Sequence, residues 1–322
     1  MYRLLNNIQG YVQNGYAGNH LMANETDIGQ ATGGLGLAIG GAIVQFNKTA
    51  VFPATLNMVS CPKGTNKARI PVYDKLGTGN VETASTGVEG VTNREVIASN
   101  PKDIEVLRNH IDALITDLSV HGNADAFLVN AGQAMGNAVA TQFDSTAATY
   151  IDDFATIVGA DTTGMTMSTL FEAVANLEKN DAPRPYNCVL HPLSVWGKWG
   201  IVNEIGMMAG DAATGSQESV GALAAGSAVG DQFRSAGFVS TLGGVNIYTS
   251  SQVVGASDYH RGGLFAKTAI GCGFIDYGGG NFIQVESSRN APYASTEITC
   301  NAYFGMLETV DLHGVTIKTE TS

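Results

Sequence analysis

The sequence predicts an α+β fold built around one long helix, and three observations lead there. Between Ser119 and Phe143, apolar or small residues recur at Ala124, Phe127, Leu128, Ala131, Met135, Ala138 and Val139, the three-and-four spacing of one helical face. Runs with strand chemistry lie on both sides of that helix, at residues 51–112 and again near the C-terminus. Between them, residues 164–199 read helix, strand, helix in close succession.

The long helix has Asn123 as its expected N-cap and Asp125 as a favourable charge in the first turn, and spans roughly 35 Å at about 1.5 Å per residue. Ala126, Gly132, Ala134, Gly136 and Ala140 keep its other faces small, so neighbouring backbones can approach closely, as suits a central strut.

Residues 1–50 are rich in Gly, Asn, Gln and Ala and lack a sustained apolar period, which predicts an extended arm ordered by lying on something else. Residues 51–112 carry the strand-like runs VFPATLNMV, ARIPVYDKL and VTNREVIAS around a middle rich in Gly, Thr and Asn. This is the pattern of a long two-stranded excursion with a polar tip near residues 74–90. Such a hairpin cannot bury both faces by itself and is expected to reach across a neighbouring molecule. The segment PKDIEVLRNHIDALITDL fits a helix through Ile104, Leu107, Ile111, Leu114 and Leu118, while Ile104 and Val106 also fit a returning strand.

Residues 146–164 are expected as a connection. MTMSTLFEAVANLEKNDAPRP then shows one helical face through Met167, Leu170, Val174 and Leu177. Thr169 and Glu172 would form a capping box, and Asn180 with Pro183 and Pro185 would end the helix. Tyr186–Leu190 reads as a buried strand, followed at His191-Pro192 by a helix carrying Trp196 and Trp199. Residues 206–237 form a long Gly, Ala and Ser-rich loop, a length usually functional or mobile. FVSTL and VNIYTS around Gly243-Gly244 make a hairpin, LFAKTAIGCGFI reads as one buried strand, and the tail alternates like antiparallel strands. No internal repeat is visible.

Composition narrows the function. Across 322 residues only 14% are charged, against a usual share of about 25%, and 40 are glycine. That balance points to extensive packed surface and many turns. The net charge of −12 excludes coating nucleic acid through clustered Lys and Arg, yet a repelling wall can still enclose it. No apolar run approaches the roughly 18–20 residues of a membrane span, and the start lacks a basic-then-apolar leader, so no membrane partner and no secretion signal are expected. Asn24 and Asn47 then match a glycosylation pattern by chance. Cys61, Cys188, Cys272 and Cys300 are expected reduced and buried.

A search for chemistry finds no active site. Ala31–Gly41 is glycine-rich but has neither a strand before it nor a Lys-Ser or Lys-Thr after it, so no phosphate-binding cofactor is implied. Cys188 and His191 form one C-x-x-H pair without a second, which argues against a metal. Asp152 and Asp153 are adjacent and read as a solvated turn. No catalytic, cofactor-binding or metal-binding residue is nominated.

The order of these elements resembles the major capsid proteins of tailed bacteriophages, which have the Hong Kong 97 fold. The likeness runs over nearly the whole chain: arm, strand excursion, spine helix, then RPYNCVLHP, GFVSTLGGVNIYTS, LFAKTAIG and the terminal FGMLETVDLHGVTIKT. It implies an N-terminal arm at 1–50, an extended loop at 51–112 lying over the adjacent subunit, a spine helix and peripheral domain at 113–160, an axial domain at 161–280, and terminal strands of the peripheral domain at 281–322. The function implied is structural: hexamers and pentamers of one chain closing into an icosahedral shell around double-stranded DNA, helped by scaffolding, portal and decoration proteins. Subunit contacts would come from Arg69, Tyr73, Asp74, Lys75 and Arg94 in the extended loop. Some members crosslink a loop lysine to a peripheral asparagine, for which Lys75 with Asn281 or Asn290 are the candidates. A scaffold domain ahead of the arm is not expected.

Two rivals stay open. An encapsulin shell shares the fold but generally lacks so long an arm. A soluble enzyme would use Gly33–Gly41 to cradle a phosphate and Asp152 or Asp153 as base, and would form a small oligomer with a ligand-dependent melting shift.

Overall fold

The computed structural model describes residues 41–47, 49–73, 99–197, 200–201, 238–255, 259–277 and 282–320, with side chains omitted at 117–129, 238 and 240. Two main sheets share one long helix. Strands β1 (Asn57–Ser60), β10 (Ile270–Phe274), β12 (Ser295–Glu308), β11 (Ile283–Asn290) and β4 (Leu107–Thr116) form a five-stranded sheet. Its organiser is β12, which pairs antiparallel with β4 along one edge and with β10 and β11 along the other. A six-stranded sheet runs β5 (Ile157–Gly159), β13 (Gly314–Glu320), β9 (Tyr259–Ala266), β6 (Tyr186–Leu190), β8 (Val245–Thr249) and β7 (Phe238–Leu242). Strands β2 (Lys67–Ile70) and β3 (Lys102–Glu105) pair separately as an antiparallel ribbon.

The helices are α1 (41–47), α2 (Asp117–Asp152), α3 (Met167–Lys179) and the short α4 (Pro192–Trp196). The six-stranded sheet separates two cores. On one side Val189 of β6 and Phe265 of β9 meet Ile151 and Phe154, at and just beyond the end of α2. On the other, Cys188, Leu190 and Leu264 meet Leu170, Ala173 and Leu177 of α3. Alternating residues of one strand serve both layers, so β6 is buried along its whole length.

The structure corrects several expectations. Helix α2 starts after Thr116, so Asn123 lies inside it, and it continues through the expected connection to Asp152, about 54 Å in all. The ambiguous segment is strand as far as Thr116, as β3 and β4, and its last two residues, Asp117 and Leu118, open α2. In β4, Ile111, Ala113 and Ile115 turn toward the core while Arg108, His110, Asp112 and Leu114 face out, and the two-residue period prevails because β12 offers ten residues of pairing. The cap of α3 is Thr166, whose Oγ1 accepts the Thr169 N–H at 3.0 Å; Thr169 is inside the helix. LFAKTAIGCGFI is two strands, with β9 in one sheet and β10 in the other. The last strand, β13, pairs with β9 and β5, so the tail divides between the sheets. Asp152 is not a solvated turn residue: its carboxylate accepts from Arg261 at 3.2 Å, and Arg261 also faces Asp161. All four cysteines are free; three are buried and Cys61 is half-buried. The expected loop at 206–237 and Trp199 lie outside the described residues.

The end of the expected arm is helical and buried. Ala42 and Phe46 of α1 pack on α2, where a Cβ on Gly136 would collide with the Ala42 carbonyl. The chain then enters a 3-10 turn, Phe52–Ala54, whose first amides are held by Asp144 of α2. That carboxylate accepts from Val51 N–H at 3.1 and 3.2 Å and from Phe52 N–H at 3.3 Å. Burial pushes the Asp144 carboxyl up to about 7, against the lowering effect of those N–H bonds. Between its unfolded value of 3.8 and about 7 the folded chain therefore binds the extra proton. Stability contributed at low pH is lost as pH rises through that window, at up to about 1.4 kcal/mol per unit. Urea unfolding at pH 5, 6, 7 and 8 is expected to show this fall in the wild type and a flatter profile in Asp144→Asn; equal slopes would contradict it.

Candidate subunit-contact surface

The ribbon of β2 and β3 is the root of the excursion expected from sequence. Its inner residues Ala68, Ile70 and Ile104 are buried in a small core of their own with Val59, Cys61 and Leu307. Three glycines in the sheet beneath make this approach possible. A Cβ on Gly271 would strike Ile70, one on Gly273 would sit 2.8 Å from the Ala68 Cβ, and one on Gly305 would run into the Glu105 carbonyl. Gly273 and Gly305 are paired across β10 and β12, so the shelf is continuous. Glycine inside a strand often marks such a close backbone approach.

The outer face of the ribbon is charged in complementary pairs. Arg69 lies opposite Asp103 and donates both ways, Nε to Oδ1 at 2.6 Å and Nη2 to Oδ2 at 2.9 Å. Hydrogen bonding to Arg69 holds the Asp103 carboxyl below the ordinary carboxylate range, and the same bond raises the Arg69 guanidinium. Lys67 lies opposite Glu105 in the next outward position. Beyond the ribbon, Tyr73 bridges to Ser99 with 64% of its surface exposed. Of the five residues expected at subunit contacts, Arg69 and Tyr73 therefore occupy the exposed root. Asp74, Lys75 and Arg94 lie outside the described residues.

Sequence reasoning missed Asp103, the partner that fixes Arg69, and it missed the glycine shelf. The signal for the shelf was present, since Gly271 and Gly273 alternate within a strand-like run. Other large apolar side chains stay exposed at Leu107 and Leu114 on the edge strand β4, at Tyr293 between β11 and β12, and at Leu193 and Trp196 on α4. Of the crosslink candidates, Asn290 ends β11 and is half-buried, whereas Lys75 and Asn281 lie outside the described residues. Among the described residues no group of three or more His, Cys, Asp or Glu could hold a metal ion, and no helix is long and apolar enough to cross a membrane.

No protein-family model and no curated protein matches the sequence. Solved structures do match. The capsid of Ralstonia phage GP4 superimposes with a TM-score of 0.65 at 12% identity, over 85% of this chain and 92% of that one. The fold is the Hong Kong 97 fold. The capsid of cyanophage P-SCSP1u matches at TM-score 0.56 and 16% identity over 93% of this chain and 92% of that one. An encapsulin, SrpI from Synechococcus elongatus, matches at TM-score 0.55 and 12% identity over 83% and 86%. The expected resemblance to tailed-phage major capsid proteins is thus present in three dimensions.

Proposed function

We propose that this chain is a shell-forming structural protein, the major capsid subunit of a tailed bacteriophage. The observation that carries the reading is a Hong Kong 97 fold matched over 85% of the chain to a phage capsid. In this reading hexamers and pentamers close into an icosahedral shell around double-stranded DNA, assembled in the host cytoplasm with scaffolding, portal and decoration proteins. The chain performs no turnover. Several adjustable interfaces, each near the standard size of about 1,600 Å², would supply the cohesion.

The five-stranded sheet with α2 is the peripheral domain, and the six-stranded sheet with α3, α4 and β13 is the axial domain. The part of residues 51–112 between β1 and β4 is the extended loop, and residues 1–50 form the arm. The rigid ribbon root sets the direction in which the loop leaves its own subunit, and its outward charges meet the next one. Arg69→Ala and Tyr73→Ala are expected to leave thermal unfolding of the unassembled chain within a degree or two of wild type while lowering the yield of closed particles severalfold. Sedimentation of freshly purified protein measures that yield, and wild-type yield from both variants would remove these residues from the interface.

The match to SrpI supports a second reading, an encapsulin-type compartment. Nuclease-treated particles distinguish them: a phage shell with its packaging partners retains protected double-stranded DNA, and an encapsulin retains protein cargo. Of the two bases the enzyme reading would use, Asp152 is tied to Arg261.

A further inference from the structure

We propose that His191 and His260 form an acid-released latch that holds α4 on the six-stranded sheet. The two imidazoles stack nearly parallel, 18° apart with centroids 3.5 Å from each other, one at the N-cap of α4 and one in β9. His191 Nδ1 accepts the Leu193 N–H at 3.2 Å, so its lone pair is committed to the cap and its ring proton sits on Nε2. Adding a proton at Nδ1 would set two donors against each other and end the cap. His260 Nδ1 is buried without a hydrogen-bond partner among the described residues, so a proton there finds no acceptor. Protonating both rings would hold two like charges in van der Waals contact.

No compensating carboxylate pairs with either ring among the described residues. Among the described residues the charged and titratable neighbours are Tyr259 and Arg261 beside His260 in β9, and Lys318 and Glu320 beside Thr319 in β13. Asp152 accepts hydrogen bonds from Arg261, and Asp161 lies 3.8 Å from the same guanidinium. Burial, followed by the presence of His260, pushes the His191 imidazole down to about 4, and burial lowers His260 as well. The unfolded chain therefore binds more protons between the ordinary value of 6.5 and about 4. Stability due to the pair is complete above that window and is lost as pH falls through it.

A second tie decides what happens on release. Ser194 of α4 bonds the Thr319 hydroxyl at 2.8 Å, and that hydroxyl donates to the His260 carbonyl at 3.2 Å. With the cap gone, α4 is held by this chain of bonds and by Val195, buried in the core with Leu190 and Leu264, and its start can swing out, carrying the exposed Leu193 with it and shifting the exposed Trp196. Acid would thereby rearrange one apolar patch without unfolding the sheet. This latch goes beyond the shell reading and does not depend on it.

Both tryptophans of the protein, Trp196 and Trp199, lie in α4 or within three residues of it, so intrinsic tryptophan fluorescence of the full chain reports on this element. Titration from pH 8 to pH 4 is expected to give a reversible emission change with its midpoint below 6. His191→Asn retains a capping oxygen without a titrating ring and should abolish the change. His260→Phe retains the stacked ring without its charge and should move the midpoint toward neutral pH. Hydrogen exchange in the wild type, corrected for intrinsic rate, should rise severalfold at Leu193–Trp196 by pH 4.5 while Tyr186–Leu190 stays protected. A wild-type midpoint in His191→Asn, or unchanged protection of α4, would overturn the latch.

Discussion

Truncation of Phe143 to alanine is expected to lower the unfolding free energy by about 3–5 kcal/mol, a large part of a typical total of about 5–15. Phe143 is fully buried on α2 at the meeting point of four segments. Its ring lies 5.9 Å from Phe46 of α1 in an edge contact, 5.5 Å from Phe282 ahead of β11 in a stacked one, and 4.9 Å from Phe304 of β12. Such pairs add to the area they bury. Removing this ring opens a cavity bounded by α1, α2 and β12 together, and these cannot collapse on it at once. Phe171, nearly half exposed on α3, is the control, with an expected loss below about 1 kcal/mol on alanine substitution. Urea unfolding of the unassembled chain measures both; equal losses would contradict the assignment of Phe143 as the hub.

The second large effect belongs to the glycine shelf. Gly305→Val is expected to cost about 1–3 kcal/mol or more, because the obstacle is backbone: the Glu105 carbonyl stands where the Cβ would go, and the Val106 Cα lies 3.3 Å from that point. Neither can move aside as a side-chain tip could. The ribbon would have to lift from the sheet, uncovering Ala68, Ile70 and Ile104. Hydrogen exchange should show lost protection at Lys67–Ile70 and Lys102–Glu105 with the rest of β12 intact. If the ribbon keeps wild-type protection, its seat on the glycines is not what orders it. In the shell reading the same variant should fail to close particles although its monomer is folded.

How much of this was legible depended on whether local pattern and tertiary context agreed. Tyr186–Leu190 was plain because a strand buried on both faces is mostly apolar, here with Asn187 as its one polar residue. The far end of α2 was obscured by Thr146 and Thr149, weak helix formers by propensity. Inside the helix Thr141 and Thr146 donate their hydroxyls to the carbonyls of Asn137 and Gln142, and Thr149 donates to that of Thr146, while Ala147, Ala148 and Ile151 supply the buried face. Leu107–Ile115 matched both periods, and only the neighbouring β12 decides between them. The break between β9 and β10 carries neither Gly nor Pro; it is a tight turn in which Ala269 N–H donates to the Ala266 carbonyl. The candidate contact surface was legible in part. A polar excursion was expected from composition, but the Arg69–Asp103 pair joins residues 34 apart and depends on strand register.

The central claim is that the chain completes its burial only among copies of itself in a closed shell. Electron microscopy of the purified full-length protein, alone and with a co-expressed scaffold, tests it most directly. The expected result is closed particles tens of nanometres across and of megadalton mass. A discrete small oligomer under both conditions, stabilised by a phosphate ligand, would contradict it.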